Sequence, residues 1–214
     1  TDDHVRPSRT RLLLAGALVA FSMPPWGWWP LAIVGCAMYA NVAVHEGRRA
    51  PFRTAVWWAL GWFVPSLAWM WFLTVPGYLI VCVLFAAFHG VAATVAHQIG
   101  RVSDAHHRTA LALTHTLAEV LRLSFPFGGV PLATLAISQS RSPFAHFASV
   151  GGVILVTFMV LWFSFSDRRI RVAVAGAVVL LVSLPFDTTD RVGDATYALV
   201  QGGGAQGTHV GDVD

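Results

Sequence analysis

The sequence predicts an all-α polytopic membrane domain of seven transmembrane helices, interrupted in its second half by an irregular loop at about residues 125–131. Three observations predict it. Of the 214 residues 56% are hydrophobic and only 12% are charged, about half the roughly 25% charge content of a soluble domain. The apolar residues come in runs separated by short polar loops, the pattern of spans that satisfy their backbone hydrogen bonds internally. The arginines then fall on alternate loops, as they do where loops alternate between the two sides of a membrane.

Taken in order, residues 1–11 form a polar tail with Arg6, Arg9 and Arg11, followed by an apolar run at 12–23. A signal peptide begins the same way. No small-residue cleavage site follows, because the next residues are Pro24-Pro25-Trp26-Gly27-Trp28-Trp29-Pro30, so the run reads as a retained first span. Those tryptophans suit the headgroup level, where an amphipathic ring is favoured. Residues 31–44 return as a second span, and both opening spans are short against the roughly 20 residues a crossing needs, so they form a tight hairpin. After the basic loop 45–53 come spans at 54–75 and 76–99, the first expected to be kinked by Pro65. Its Trp57, Trp58, Trp62, Trp69 and Trp71 are expected around the whole helix, with Trp69 and Trp71 near the outer face. The polar loop 101–108 precedes a fifth span at 109–125. A sixth runs over 143–165 and a seventh over 170–186, before a polar linker at 187–196.

Eleven arginines lie in the tail and the loops after spans two, four and six, against Arg122, Arg141 and Arg191 on the other side. By the positive-inside rule the N-terminus is cytoplasmic, and seven crossings place the residues after 186 outside. Beyond the linker, Tyr197-Ala198-Leu199-Val200-Gln201 has the make-up of a strand and a glycine-rich stretch follows it. One strand cannot fold alone, so composition leaves two readings: a disordered tail, or the opening strand of a further domain.

Chemistry concentrates in HTLAEVLRLSFPFGGVPLATLAISQS, residues 115–140. On a helix His115, Glu119 and Arg122 share one stripe, and ionisable groups at membrane depth are costly enough to imply a role. Pro126, Gly128, Gly129 and Pro131 then break the helix. Irregular backbone at that depth is tolerated only inside protein or beside a watery cavity, so this loop is expected to line a site at one membrane surface. The plain alternative is an intramembrane salt bridge that locks helices together.

Other candidates point to structure. Cys36 and Cys82 lie in apolar runs without metal or redox spacing and are expected to be free, buried thiols. His89 and His97 lack a second ligand pair and read as packing or pore-facing residues. His106-His107, flanked by Asp104 and Arg108, reads as solvated loop surface rather than a metal site. No nucleophile stands beside a His at a recognised spacing, so no catalytic residue, cofactor or metal is expected here. The arginine clusters lack the interleaved aromatics of a nucleic-acid groove.

Several stretches together resemble bacterial apolipoprotein N-acyltransferase. Phe21-Ser22-Met23-Pro24 and Trp29-Pro30-Leu31-Ala32 are similar to the family's opening hairpin, and Gly61-Trp62-Phe63 through Trp69 to its aromatic third span. Glu119-Val120-Leu121-Arg122 resembles its E-x-L-R, Ser138-Gln139-Ser140 its S-Q, and Gly152-Val153 with Thr157-Phe158 its sixth-span opening. Ala198-Leu199-Val200-Gln201-Gly202 with Gln206 is similar to the V-Q-G-x-x-x-Q that begins the family's nitrilase-like domain. One departure is the loop Phe125-Pro126-Phe127-Gly128-Gly129, where many members carry Gly-Phe-Pro-Trp. The all-arginine basic complement, 14 Arg and no Lys, fits an actinobacterial relative.

The resemblance implies a transferase of the bacterial cell membrane that takes an acyl chain from a phospholipid as a Cys thioester and delivers it to the N-terminal amine of a diacylglyceryl-cysteine apolipoprotein. It implies a tail at 1–11, a membrane domain at 12–186, a linker at 187–196 and, at 197–214, the first strand of a truncated α/β nitrilase-like domain. The Glu-Lys-Cys triad is expected beyond Asp214, so the fragment alone should be inactive. Trp69, Glu119, Arg122, Phe127 and Gln139 are the expected substrate-binding residues, and phospholipid, apolipoprotein and membrane lipids the expected partners. Some actinobacterial relatives are joined to a polyprenol-phosphate mannose synthase, which makes that enzyme a further candidate partner. The rival classes are a small transporter or channel, which should show a repeat of the broken segment in the first half, and a scaffold for a partner enzyme.

Overall fold

A computed structural model describes residues 8–45, 50–100, 103–125 and 129–167. These fall in the first of the two units into which the chain divides, residues 1–183 and 184–214. The expected seventh span, the linker and the strand at 197–201 lie outside the described residues, as do Pro126, Phe127 and Gly128.

Among the described residues the chain is helical and contains no strand: α1 Arg9–Phe21, α2 Pro30–His45, α3 Pro51–Ser66, α4 Val75–Ile99, α5 Asp104–Arg122, α6 Leu135–Ser138 and α7 Ala148–Phe165, with 3-10 turns at Ala68–Phe72 and Pro143–Phe147. Their ends follow local chemistry. Proline opens α2, α3 and the turn before α7, where its missing N–H costs nothing. Thr74 and Ser103 cap α4 and α5, their hydroxyls accepting from Gly77 N and His106 N at 3.3 Å each. Gly27, at φ 65°, makes the turn between α1 and α2.

Among the described residues two helical stretches, Val75–Ile99 and Pro143–Phe165, are long and apolar enough to cross a membrane, and Pro30–His45 is a shorter apolar helix. α5 adds a second signature. Its outer face carries Leu113, Leu117 and Leu121, from 46% to 64% exposed, while His115, Glu119 and Arg122 are buried within 4% of complete. Charge inward and leucine outward inverts the soluble pattern.

Three boundaries differ from expectation. The third span is not one helix kinked at Pro65: α3 ends one residue later at Ser66, capped by Leu67 N on Phe63 O at 2.9 Å, and Met70 N to Leu67 O at 2.9 Å starts the 3-10 turn carrying Trp69 and Trp71. Pro65 lies in the last turn, so it closes the helix. α7 is broken at Gly151 and Gly152, the latter at φ 60° and ψ −158°, a conformation essentially restricted to glycine. α5 begins at Asp104, four residues before the expected polar loop ends, because Ser103 caps it. His106 and His107 are therefore helical, and His107 is buried with its ring edge-on to His97.

The tightest packing joins α1 to α3. A Cβ on Gly16 would overlap Trp58 O, and one on Gly61 would overlap Leu13 O, so the two backbones touch. Arg9 meets Trp57 and Leu13 meets Gly61, so the helices run in the same direction. Trp58 and Trp62 turn inward from α3 and are completely buried, whereas Trp69 and Trp71 are about half exposed at 48% and 53%. The tryptophans thus divide between the buried side of α3 and the exposed turn after it.

Candidate functional site

The site is built where α2, α4 and α5 meet. Glu119 and Arg122, three residues apart on α5, form a direct ion pair and hydrogen bond. The guanidinium is wedged between Phe63 of α3 and Phe85 of α4, 4.7 and 4.2 Å from the ring centroids, a cation–π sandwich that partly replaces lost hydration. His89 of α4 brings Nε2 to 3.3 Å from Glu119 Oε1. Its Nδ1 is 2.8 Å from His115 Nδ1, and His115 Nε2 is 2.9 Å from the Tyr39 hydroxyl of α2. Tyr39 stacks on Trp58 with centroids 4.3 Å apart. A buried polar chain thus runs Tyr39, His115, His89, Glu119, Arg122, through three helices.

Its outer end is the loop after α5. Arg122 donates to Leu132 O, and Leu135 N donates to Glu119 Oε2 at 3.3 Å. Val130 N returns to Arg122 O at 2.8 Å. Gly129, at φ 106°, sits so close to α5 that a Cβ there would overlap Leu123 O, so the reversal needs glycine. Between the two anchored backbone groups, Ala133 has φ 51°, a left-handed conformation that costs an L-residue about 1–2 kcal/mol. The anchors at Leu132 and Leu135 hold it there. A cavity of about 10 Å³, lined in part by Glu119, Thr116, Thr134 and Thr157, adjoins the carboxylate; it is the size of about one water molecule.

The structure brings Glu119 and Arg122 together directly, while His115 reaches Glu119 only through His89. Gln139 is buried just beyond α6; its Nε2 donates to Ser138 Oγ at 2.9 Å and Trp29 O at 3.4 Å, while its Oε1 is buried without a hydrogen-bond partner. Gln139 thereby ties the end of the loop to the α1–α2 turn. Trp69 stands apart on the exposed turn after α3, and Phe127 lies outside the described residues. Sequence reasoning read His89 as a packing or pore-facing residue and did not single out Tyr39. Neither has a local spacing that marks it, since their partners are 26 and 76 residues away.

A chain of this kind fixes geometry. The Glu119–Arg122 pair lies on one helix, so it does not itself lock two helices together; what it joins to α5 is His89 and the loop backbone. Cys36 and Cys82 are free and buried, and neither has the electropositive, partly exposed setting of a nucleophile.

Residues 15–166 match the family model described as apolipoprotein N-acyltransferase N-terminal domain. Curated relatives include the apolipoprotein N-acyltransferase of Haemophilus influenzae, 26% identical over 193 residues (79% of this chain and 36% of that protein). That of Pasteurella multocida is 28% identical over 165 residues (71% and 30%), and that of Pseudomonas aeruginosa is 30% identical over 168 residues (72% and 32%). The chain spans about a third of the length of the curated relatives it matches.

Proposed function

Because the chain belongs to the apolipoprotein N-acyltransferase family through the N-terminal domain, and is a membrane protein of lipoprotein biosynthesis, we propose that it is the membrane part of an enzyme that moves an acyl chain from phospholipid to the N-terminal amine of a diacylglyceryl-cysteine apolipoprotein. In this reading a Cys thiolate of the catalytic part takes the acyl group as a thioester, expelling the lysophospholipid. The amine then attacks the thioester, forming the amide and releasing the thiolate, in two-step covalent catalysis. This chain positions the lipid substrates and anchors the part that carries the nucleophile. Both substrates keep their tails in the bilayer, so holding them at its surface is the entropic contribution a membrane domain can make.

The observation that carries the proposal is the loop at 129–135, fastened at Leu132 and Leu135 by a buried ion pair. Glu119 and Arg122 are nearly inaccessible, so they act through the loop, and Gln139 acts with them through the turn at Trp29. Trp69, exposed after α3, and Phe127, which lies outside the described residues, are in this reading the residues that touch substrate. We read the chain as seven-spanning with its N-terminus cytoplasmic, the loop and Trp69 at the outer face, and 197–214 as the start of a nitrilase-like domain. With both of its thiols buried, the 214-residue chain should by itself form no thioester.

The test uses the full-length gene product. It should transfer a labelled acyl chain from phospholipid to a diacylglyceryl-cysteine peptide, and Trp69→Ala should slow that transfer without loss of folded protein. Solute transport by a folded product that transfers no acyl chain would replace this reading with the transporter.

A further inference from the structure

We infer that α1 and α3 form a binding site for one anionic phospholipid at the ends that carry Arg9 and Arg53, remote along α3 from Trp69. The inference rests on the chain's standing in a membrane and does not depend on acyl transfer.

The close Gly16–Gly61 approach brings α1 and α3 together along one line and leaves a groove beside it. That groove has a volume of about 490 Å³, within the roughly 300–1,000 Å³ of small-molecule sites. Thr10, Leu13, Leu14 and Ala17 give the α1 wall at helical spacing, and Trp57, Leu60, Val64 and Pro65 belong to the α3 wall. Apart from Thr10 the lining side chains named are apolar. The groove therefore has a direction: it is aliphatic along its length and polar at one end.

Charge stands at that same end. Arg9 adjoins Thr10, is exposed, and holds its guanidinium 5.2 Å from the centre of the Trp57 ring, on the groove wall. Arg53 is exposed one helical turn before Trp57 and on its face. Arg9 stands at the polar mouth and Arg53 one turn before Trp57 on its face, while the aliphatic channel leads away from that end. An acyl chain fits the channel, and a phosphate fits two cations with a neighbouring hydroxyl, since arginine binds phosphate oxygens through its planar fork. A zwitterionic headgroup brings its own ammonium to the same place and gains less. The occupant is a phospholipid of net negative charge, such as phosphatidylglycerol, with one chain between α1 and α3.

The full-length gene product, purified in mild detergent, is titrated with phosphatidylglycerol or phosphatidylcholine and followed by native mass spectrometry. One phosphatidylglycerol should be retained in preference to phosphatidylcholine. At about 1 kcal/mol for each surface arginine facing an anionic lipid, the Arg9→Gln/Arg53→Gln variant should lose roughly 30-fold of that preference. Ala17→Phe, which fills the channel and leaves both arginines, should abolish retention. Inorganic phosphate at matched ionic strength should not compete, because it lacks the chain. Equal retention of the two lipids, an undiminished preference in either variant, or displacement by phosphate would overturn the site. So would a second copy of the chain found on the groove in place of lipid.

Discussion

Replacing Glu119 by Gln removes one charge of a pair whose other member, Arg122, has no exposed surface. The guanidinium keeps Leu132 O and the faces of Phe63 and Phe85, but these are present before and after the change and do not offset the lost carboxylate charge. Leaving one charge of a buried pair unbalanced costs roughly 3–5 kcal/mol. Gln retains an acceptor for Arg122 or for Leu135 N, though not for both with the strength of a carboxylate, so we expect about 3 kcal/mol. For a membrane domain of about 200 residues unfolding as its own cooperative unit that is a fall in melting temperature on the order of 10 °C. The assay is thermal unfolding of the full-length gene product in detergent, beside acyl transfer at a temperature where every variant is folded. The informative partner is Glu119→Gln/Arg122→Met, which removes both charges. Its stability should lie between those of the parent and Glu119→Gln, roughly 1–2 kcal/mol below the parent, since removing both charges ends the imbalance while Leu132 O is left without its donor. Its acyl transfer should stay low, because Leu132 O has lost its donor. A Glu119→Gln protein that melts within about 2 °C of the parent refutes the energetic reasoning; activity that returns with stability in the double variant refutes the positioning role.

Three further outcomes are expected. Gly61→Leu should separate α1 from α3, because even a Cβ there meets the Leu13 backbone; overpacking of this kind costs about 1–3 kcal/mol or more, read as a lower melting temperature. His89→Leu leaves His115 Nδ1 without its partner and Glu119 without its imidazole neighbour, at roughly 1–3 kcal/mol for each buried polar group left unsatisfied. His89→Gln should recover part of that loss in the same melt, and equal melting of the two variants would count against the polar chain. A cysteine introduced at Thr188 should react in intact cells with a membrane-impermeant thiol reagent and one at Ser103 should not; the reverse labelling inverts the proposed topology.

The helices at 9–165 were legible because apolar runs bounded by Pro, Gly and Arg leave few alternatives, and the Glu119–Arg122 pair because i and i+3 on one helix are neighbours wherever that helix lies. What lay beyond reading depends on where helices end up relative to each other. His89 looks the same in sequence whether it faces lipid or Glu119. Read as one helix, the five tryptophans from Trp57 to Trp71 fall all round it, so nothing in their spacing says that Trp58 and Trp62 face inward. Pro65 was legible as a disruption but not as a terminus, since a proline can kink or close a helix and the choice falls to the carbonyls around it. Ala133 gives no signal at all: its left-handed backbone is imposed by the anchors on either side.

That last point separates the two meanings a buried charge pair can have. Were Glu119 and Arg122 present for adhesion alone, an apolar pair of similar volume would serve as well or better, because desolvating two ions usually costs what their attraction returns. An apolar pair, however, has nothing to offer a loop whose backbone must be satisfied where water is scarce. Here each charge directs a hydrogen bond out of the pair to such a group, Arg122 to Leu132 O and Glu119 to Leu135 N, with the strained Ala133 between. The inner side of the carboxylate meets His89, which His115 and Tyr39 hold in turn. The rigidity of three packed helices is thereby transmitted to three or four residues of irregular backbone. Under the proposed function, those residues are where a surface that receives a lipid-linked substrate would gain most from being fixed beforehand.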